Sequence, residues 1–318
     1  MLPEKRKRLI IGIISIIVII IVVILLGKIS SFIKNKNNEN VQRNDDYSEI
    51  YDYIGITIDE DNIYKIYGIN EDEEKYLDVK TFYEVKDMIN IDKKIVLYSD
   101  AVNELRYDKK KGEFYFYELD EFYNKYDNVK LTHDYMVISD DNKISYRKYG
   151  SDTFENIKQA KEYKISNNKI YFYNKENIYE FDMKTKEKKI IAMYERDDII
   201  ELLDVSDKYL FYLKNNVLNA CSLEKFANYD LSPLSFYSIS NDGFITLENN
   251  ILKNYSISSG EYLYDYFVSG NINNLFYLDN NNFYLSFDDN YVIIDLKSSK
   301  VWKNLSNKYI YLMKVNNT

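Results

Sequence analysis

KIYFYNKENIYEFDMKTKEKKII, Lys169–Ile191, holds the pattern that decides the fold. An apolar run through Ile170 and Tyr173 meets a turn containing Asn. A second run alternates through Ile178, Tyr179, Glu180 and Phe181, and the polar turn Asp182-Met183-Lys184-Thr185 leads into a third run. Period-two alternation broken by Asn, Asp and Lys turns is the mark of short antiparallel strands.

The same order recurs along the chain. It is seen in YDYIGITIDEDNIYKIY from Tyr51, KIVLYSDAVNELRYD from Lys94 and DYMVISDDNKISYRKY from Asp134, all upstream. Downstream come KYLFYLKNNVLNACSLE from Lys208, GFITLENNILKNYSISSGEYL from Gly243 and FYLSFDDNYVIIDLKSSKVW from Phe283. Taking Ile54, Ile95, Met136, Ile170, Leu210, Phe244 and Tyr284 as equivalent positions gives spacings of 41, 41, 34, 40, 34 and 40. A period near forty, with several short strands per unit, predicts an all-β fold, a β-propeller of seven blades, with six or eight as alternatives. A sandwich or a β-solenoid also spaces strands with polar turns, but a solenoid coil is shorter and more regular. With only 9 Gly and 2 Pro, the hairpins fall to Asn. Asn177, Asn216 and Asn250 are expected at positive φ, and Ile257-Ser258-Ser259-Gly260 is expected to turn a third strand into a fourth. Thr81–Ile89 and Asp152–Tyr163 are read as short helices that could disguise a blade boundary, the second from the spacing of Phe154, Ile157 and Ala160.

After the last unit, Tyr309-Ile310-Tyr311-Leu312-Met313 is a strand without a hairpin partner of its own. A ring of blades gives it one, so Tyr309–Met313 is expected beside the first blade, around Tyr51–Ile58. KIYFYNKENIYEFDMKTKEKKII and NNILKNYSISSGEYL resemble the repeats of bacterial β-propellers of the quinoprotein-like and low-density-lipoprotein-receptor-like type, over residues 47–318. The resemblance implies a binding or assembly scaffold more than an enzyme. Trp302 is the only Trp, so the regular Trp motifs of quinone-dependent blades are missing.

Ahead of the repeats, LIIGIISIIVIIIVVILL runs from Leu9 to Leu26 without a charge. At 1.5 Å per residue it spans roughly 27 Å, the depth of a bilayer core. A cleaved signal peptide has a shorter apolar region and an A-x-A-like site, whereas Gly27, Lys28 and Ile29 follow here. The chain is therefore divided into a basic cytoplasmic segment 1–8, a transmembrane helix 9–27 in the lipid bilayer, a polar tether 28–46 and an extracytoplasmic domain 47–318. Lys5, Arg6, Lys7 and Arg8 hold the N-terminus in the cytoplasm, against a thinner basic flank at Lys28, Lys34, Lys36 and Arg43. The tether SSFIKNKNNENVQRNDD would hold the domain about 20–25 Å from the membrane.

The chain's balance of 51 acidic to 42 basic residues grows when residues 1–28 are set aside. Those carry five basic residues and Glu4, which leaves 50 acidic to 37 basic, or -13. Such a surface lacks the basic stripe that nucleic acid requires. The 34 Tyr suit half-buried strands, although Ile, Asn, Lys and Tyr are also what AT-rich coding produces. Chemistry is thin. His133 is the one His and Cys221 the one Cys, so a zinc set or a disulfide framework has too few ligands. His133 reads as a solvated or capping loop residue and Cys221 as a small core hydrophobe. Asp59-Glu60-Asp61, Glu71-Asp72-Glu73-Glu74, Asp140-Asp141 and Asp288-Asp289 read as solvated turns before calcium or glycosidase sites. Tyr171-Phe172-Tyr173, Phe211-Tyr212 and Phe276-Tyr277 should send half their rings into packing between blades, the other half being available to a sugar or peptide. No catalytic, cofactor-binding or metal residue is assigned. A non-catalytic scaffold for a protein, peptide or cell-wall glycan is the preferred function, and a carbohydrate-active hydrolase or lyase using loop carboxylates the alternative. Protease treatment of intact cells is expected to remove the domain; digestion only after lysis would mean that the orientation is reversed.

Overall fold

The structure is a computed structural model and describes residues 50–315, except 92, 93, 109, 121–127, 141, 142, 159, 161, 233, 241, 242 and 258–260. The expected helix 9–27, its basic flank and the tether lie outside the described residues. Among the described residues no helix is long and apolar enough to cross a membrane.

Seven four-stranded antiparallel sheets make up the domain. Blade 1 takes β1 (Tyr53–Ile58), β2 (Tyr64–Ile69) and β3 (Glu74–Thr81). Blade 2 is β4 (Asp87–Ile91), β5 (Lys94–Tyr98), β6 (Val102–Asp108) and β7 (Glu113–Asp120). Blade 3 is β8 (Val129–Leu131), β9 (Tyr135–Asp140), β10 (Lys143–Lys148) and β11 (Glu155–Lys158). Blade 4 is β12 (Glu162–Ser166), β13 (Lys169–Asn174), β14 (Asn177–Asp182) and β15 (Lys188–Met193). Blade 5 is β16 (Ile200–Val205), β17 (Tyr209–Lys214), β18 (Val217–Ser222) and β19 (Asn228–Asp230). Blade 6 is β20 (Ser238–Ile239), β21 (Gly243–Glu248), β22 (Ile251–Ser256) and β23 (Tyr262–Phe267). Blade 7 is β24 (Ile272–Asp279), β25 (Asn282–Phe287), β26 (Asn290–Asp295) and β27 (Lys300–Leu305). The last strand, β28 (Tyr311–Lys314), returns to blade 1 and pairs with β1, giving the order β28-β1-β2-β3. The fold is a seven-bladed β-propeller.

The core is divided into seven wedges, each between two consecutive blades. Ile54, Ile56, Ile95 and Leu97 fill the wedge of blades 1 and 2, while Val96 and Tyr98 turn to blade 3. Leu210 and Tyr212 pack toward blade 4, and Phe211 toward blade 6. The second strand of a blade is thus buried on both faces, which is why it reads as a nearly unbroken apolar run. The marker residues of the repeat all fall on these second strands: Ile54 on β1, Ile95 on β5, Met136 on β9, Ile170 on β13, Leu210 on β17, Phe244 on β21 and Tyr284 on β25.

Each repeat therefore begins one strand later than its blade, and in blades 2 to 7 the first strand lies ahead of the repeat unit read from the sequence. Thr81–Ile89 is not a helix. It holds the end of β3, a connection, and the start of β4. Asp152–Tyr163 holds β11 and the start of β12, with Glu155 and Asn156 paired to Tyr146 and Ser145. The helical spacing there has another origin: Ile157 and Ala160 enter the wedge of blades 3 and 4, and Phe154 packs against that of blades 2 and 3. Three apolar positions do not offset the cost of nucleating a helix when a neighbouring strand offers its backbone partners.

The turns follow register. Asn215-Asn216 and Asn249-Asn250 have φ of 51° and 63°, and of 50° and 63°, the two-residue hairpin in which both residues are left-handed. At β13–β14 the pairing of Asn174 with Asn177 places Lys175, φ 60°, in the turn and leaves Asn177 in the strand. Asp182 Oδ1 accepts the Lys184 and Thr185 amides at 2.8 and 2.9 Å, so the turn into the fourth strand forms as expected. The Ser258–Gly260 turn lies outside the described residues.

Ring closure lies where the C-terminal strand was expected. Tyr53, Ile54, Gly55 and Ile56 pair with Lys314, Met313, Leu312 and Tyr311. Just ahead of β28, the Tyr309 hydroxyl donates to Glu74 Oε1 at 2.7 Å, and Glu74 Oε2 accepts the Ser306 amide at 2.8 Å. Burial, and then the hydrogen bond to Glu74 and the charge of that carboxylate, hold the Tyr309 hydroxyl protonated far above the ordinary tyrosine range. Its ring lies over Gly55, where a Cβ would stand 2.4 Å from Tyr309 Cδ1. Deleting residues 308–318 is expected to cost several kcal/mol, comparable to the whole stability of a domain. Gly55→Val should cost about 1–3 kcal/mol by forcing the ring aside. Chemical denaturation checks both; an unchanged midpoint in the truncated chain would make the last strand peripheral.

Candidate functional site in the central channel

The first strand of each blade faces the axis of the ring, so its free edge presents backbone N–H groups that no further strand can pair. Side chains meet several of them. Asp87 Oδ2 on β4 accepts the Leu131 amide at 2.6 Å, and Glu162 Oε2 on β12 accepts the Leu202 amide at 2.9 Å. In both cases an acid of one blade caps the inner strand of the next. Asp204 Oδ1 takes the Val205 amide at 2.8 Å at a bulge in β16, and Asn274 Oδ1 the Leu275 amide at 3.0 Å. Where the inner strands β24 and β28 end, Lys314 pairs with Asp279, joining blades 7 and 1.

Between β4, β8, β12 and β16 the channel widens into a cavity of about 630 Å³. Lys86, Asp87, Lys130, Tyr163, Lys164 and Asp204 supply its polar wall, and Met88, Ile89 and Ile165 an apolar one. Lys130 Nζ lies 3.2 Å from Asp87 Oδ1. Burial pushes the Asp87 carboxyl above its ordinary range, against the pull of Lys130 and the Leu131 amide. Burial raises Asp204 likewise, against the Val205 amide and the charges of Lys164 and Lys130. The cavity can thus present ammonium donors and desolvated carboxyls to one small molecule, a combination suited to binding polar groups.

None of these residues was singled out from the sequence. A signal was present, however. Lys130, Lys164 and Asp204 pair with Val137, Tyr171 and Phe211, each one residue beyond a repeat marker, so one level of the ring carries three charges.

The residues that were singled out stay apart from the cavity. His133 is half exposed, its Nδ1 3.1 Å from Asp134 Oδ1, in the turn between β8 and β9. Cys221 is buried in the wedge of blades 4 and 5, where desolvation lifts its thiol to about 11. The acidic clusters are separate turns. Asp59 Oδ1 accepts the Asp61 and Ile63 amides, and Asp288 Oδ1 the Asn271 amide. Glu74 departs from the solvated-turn reading, being the acceptor at the ring closure. Asp141 lies outside the described residues. Tyr171 and Tyr173 enter one wedge and Phe172 the other, so both halves of that aromatic run are buried. Trp302 is half-buried, its ring edge-on to Tyr53 at 5.1 Å.

No protein-family model and no curated relative matches the sequence. Among solved structures the chain is similar to apo AztD from Citrobacter koseri, at 9% identity over 81% of this chain and 88% of that one, with a TM-score of 0.49. It is also similar to the RRP9 WD40 repeats, at 8% identity over 74% and 82%, TM-score 0.44. A third is PorZ, a surface component of the type-IX secretion system of Porphyromonas gingivalis, at 13% identity over 69% and 32%, TM-score 0.42.

A carboxyl raised in the folded state binds its proton more tightly there than in the unfolded chain. The cost of ionising it is therefore absent below the ordinary carboxyl range and complete at neutral pH. Asp204→Asn keeps an oxygen for the Val205 amide. It is expected to raise the melting temperature at pH 7 and to lose that advantage toward about pH 4. A lower melting temperature at pH 7 would mean that the carboxylate is a net stabiliser.

Proposed function

We propose that the chain is a single-pass membrane protein of the cell surface, anchored through residues 9–27 with its N-terminus cytoplasmic, whose extracytoplasmic propeller is a non-catalytic binding or assembly scaffold for a protein. Support for the anchor is the uncharged run behind Lys5–Arg8. The resemblance of the blades to quinoprotein-like and low-density-lipoprotein-receptor-like repeats agrees with a scaffold.

The observation that carries the scaffold reading is where exposed apolar side chains lie. In an antiparallel blade, the turn between second and third strands and the connection to the next blade share one end. Ile58, Phe82 and Tyr83 are exposed at that end on blades 1 and 2, and Met193, Ile199, Val217, Tyr237 and Phe267 on blades 4 to 6. Met193, Ile199 and Phe267 are 75%, 71% and 66% exposed, far more than their chemistry favours. Phe226, Tyr262, Leu263 and Val301 stand at the opposite end. Apolar and aromatic side chains in polar surroundings form the centres of protein interfaces. Of the loop carboxylates, Asp59, Asp182 and Asp288 each accept backbone amides of turns, a structural use of the group.

A photo-crosslinking residue at Met193, Ile199 or Phe267, in the full chain in its own membrane, is expected to give a discrete protein adduct, and one at Phe226 or Tyr262 is not. Met193→Lys with Ile199→Lys should abolish the adduct formed from Phe267 while changing stability by no more than about 0.5 kcal/mol per site. Adducts confined to the opposite end would overturn the reading. Turnover of a glycan or peptide, lost on one Asp or Glu substitution, would replace it with the hydrolase or lyase.

A further inference from the structure

Around the channel cavity the charges pair off, with one exception. Lys86 is matched by Glu84, and Lys130 by Asp87. Lys164 on β12 and Asp204 on β16 remain. They line the same cavity from adjacent inner strands, and the Lys164 charge acts on the Asp204 carboxylate. Among the described residues, however, the Lys164 side chain makes no hydrogen bond or ion pair, and the Asp204 carboxylate accepts only the Val205 amide from its own strand.

Two opposite charges that stop short of contact at a cavity wall are an unfinished arrangement. Each has lost part of its water, and neither has gained a partner that repays the loss. An apolar guest would leave both unmet, a neutral polar one would offer each a hydrogen bond but no opposing charge, and a simple anion or cation would satisfy one and repel the other. A guest of both signs satisfies both. The cavity volume, about 630 Å³, is within the range of small-molecule sites.

We propose that the channel cavity binds a small zwitterion of the α-amino acid class, with its carboxylate received by Lys164 and its ammonium by Asp204. Met88, Ile89 and Ile165 give the guest's side chain an apolar wall, and the Lys130–Asp87 pair closes the polar one. The residues are distinct from those of the apolar loop end, so the site stands or falls independently of the scaffold reading.

Isothermal titration of the full chain in detergent, with each of the standard α-amino acids in turn, tests this. At least one is expected to bind, and its decarboxylated amine and its amine-free acid should each bind at least about tenfold more weakly. Lys164→Met and Asp204→Asn should each lower affinity by a similar factor, with Lys164→Arg retaining binding. Failure of every amino acid to bind at millimolar concentration would overturn the proposal. So would an amine-free acid that binds as tightly as its parent, which would mark a simple anion site. The analogue series is read on the unaltered chain, so a variant that fails to fold does not blunt it.

Discussion

The hydrogen bond from Tyr309 to Glu74, with the four-residue ladder between β28 and β1 that it precedes, holds the rest of the structure in place. A propeller has no covalent closure. Six of its wedges form between blades that follow one another in the chain, but the seventh, of Tyr53, Ile69, Tyr284, Leu305, Tyr309 and Leu312, exists only if the C-terminal end returns. Without it blade 1 would lack its inner strand and two sheet faces would open to water. The closure is fitted around ring stacking as well as backbone pairing. Tyr309 meets Tyr67 and Tyr284 edge-on, and Gly55 leaves the space its ring occupies.

Closure also sets what the inner strands can do. Once seven of them face one axis, each carries an edge without a strand partner, and the chain answers with Asp87, Glu162, Asp204 and Asn274. Two of these acids, Asp87 and Asp204, are thereby drawn out of water, with the charges of Lys130 and Lys164 acting against the cost. The candidate site is thus a consequence of the ring. Blade packing leaves a second consequence at the loop end, where strand ends and connections between blades extend past the wedges and keep apolar side chains exposed.

How much of this was legible depended on whether a residue's meaning is local. Second strands such as Lys169–Asn174 and Asn282–Phe287 are enclosed on both faces, so their composition declares them, and the blade count followed from their spacing. The return of Tyr309–Met313 was legible because a lone strand at the end of a set of repeats has one place to go. Inner strands were not. Val129–Leu131 has three residues and Ser238–Ile239 two, too few for an alternation to stand out from the neighbouring loops. Lys164 and Asp204 lie forty residues apart in sequence and acquire a relation only when the ring is assembled. Glu74 reads as a turn residue in the sequence because the tyrosine that claims it lies 235 positions away.

Native-state hydrogen exchange at the Ile310 and Val315 amides is the most direct test of the central claim that the returning strand holds the ring together. These donate to Ile56 and Asp52 carbonyls at 2.9 and 2.8 Å, at the two ends of the closing ladder. Both amides are expected to exchange only through global unfolding, with the same free energy as the slowest amides of the second strands. Exchange of these two through a local opening of much lower free energy, with the other blades still protected, would contradict it.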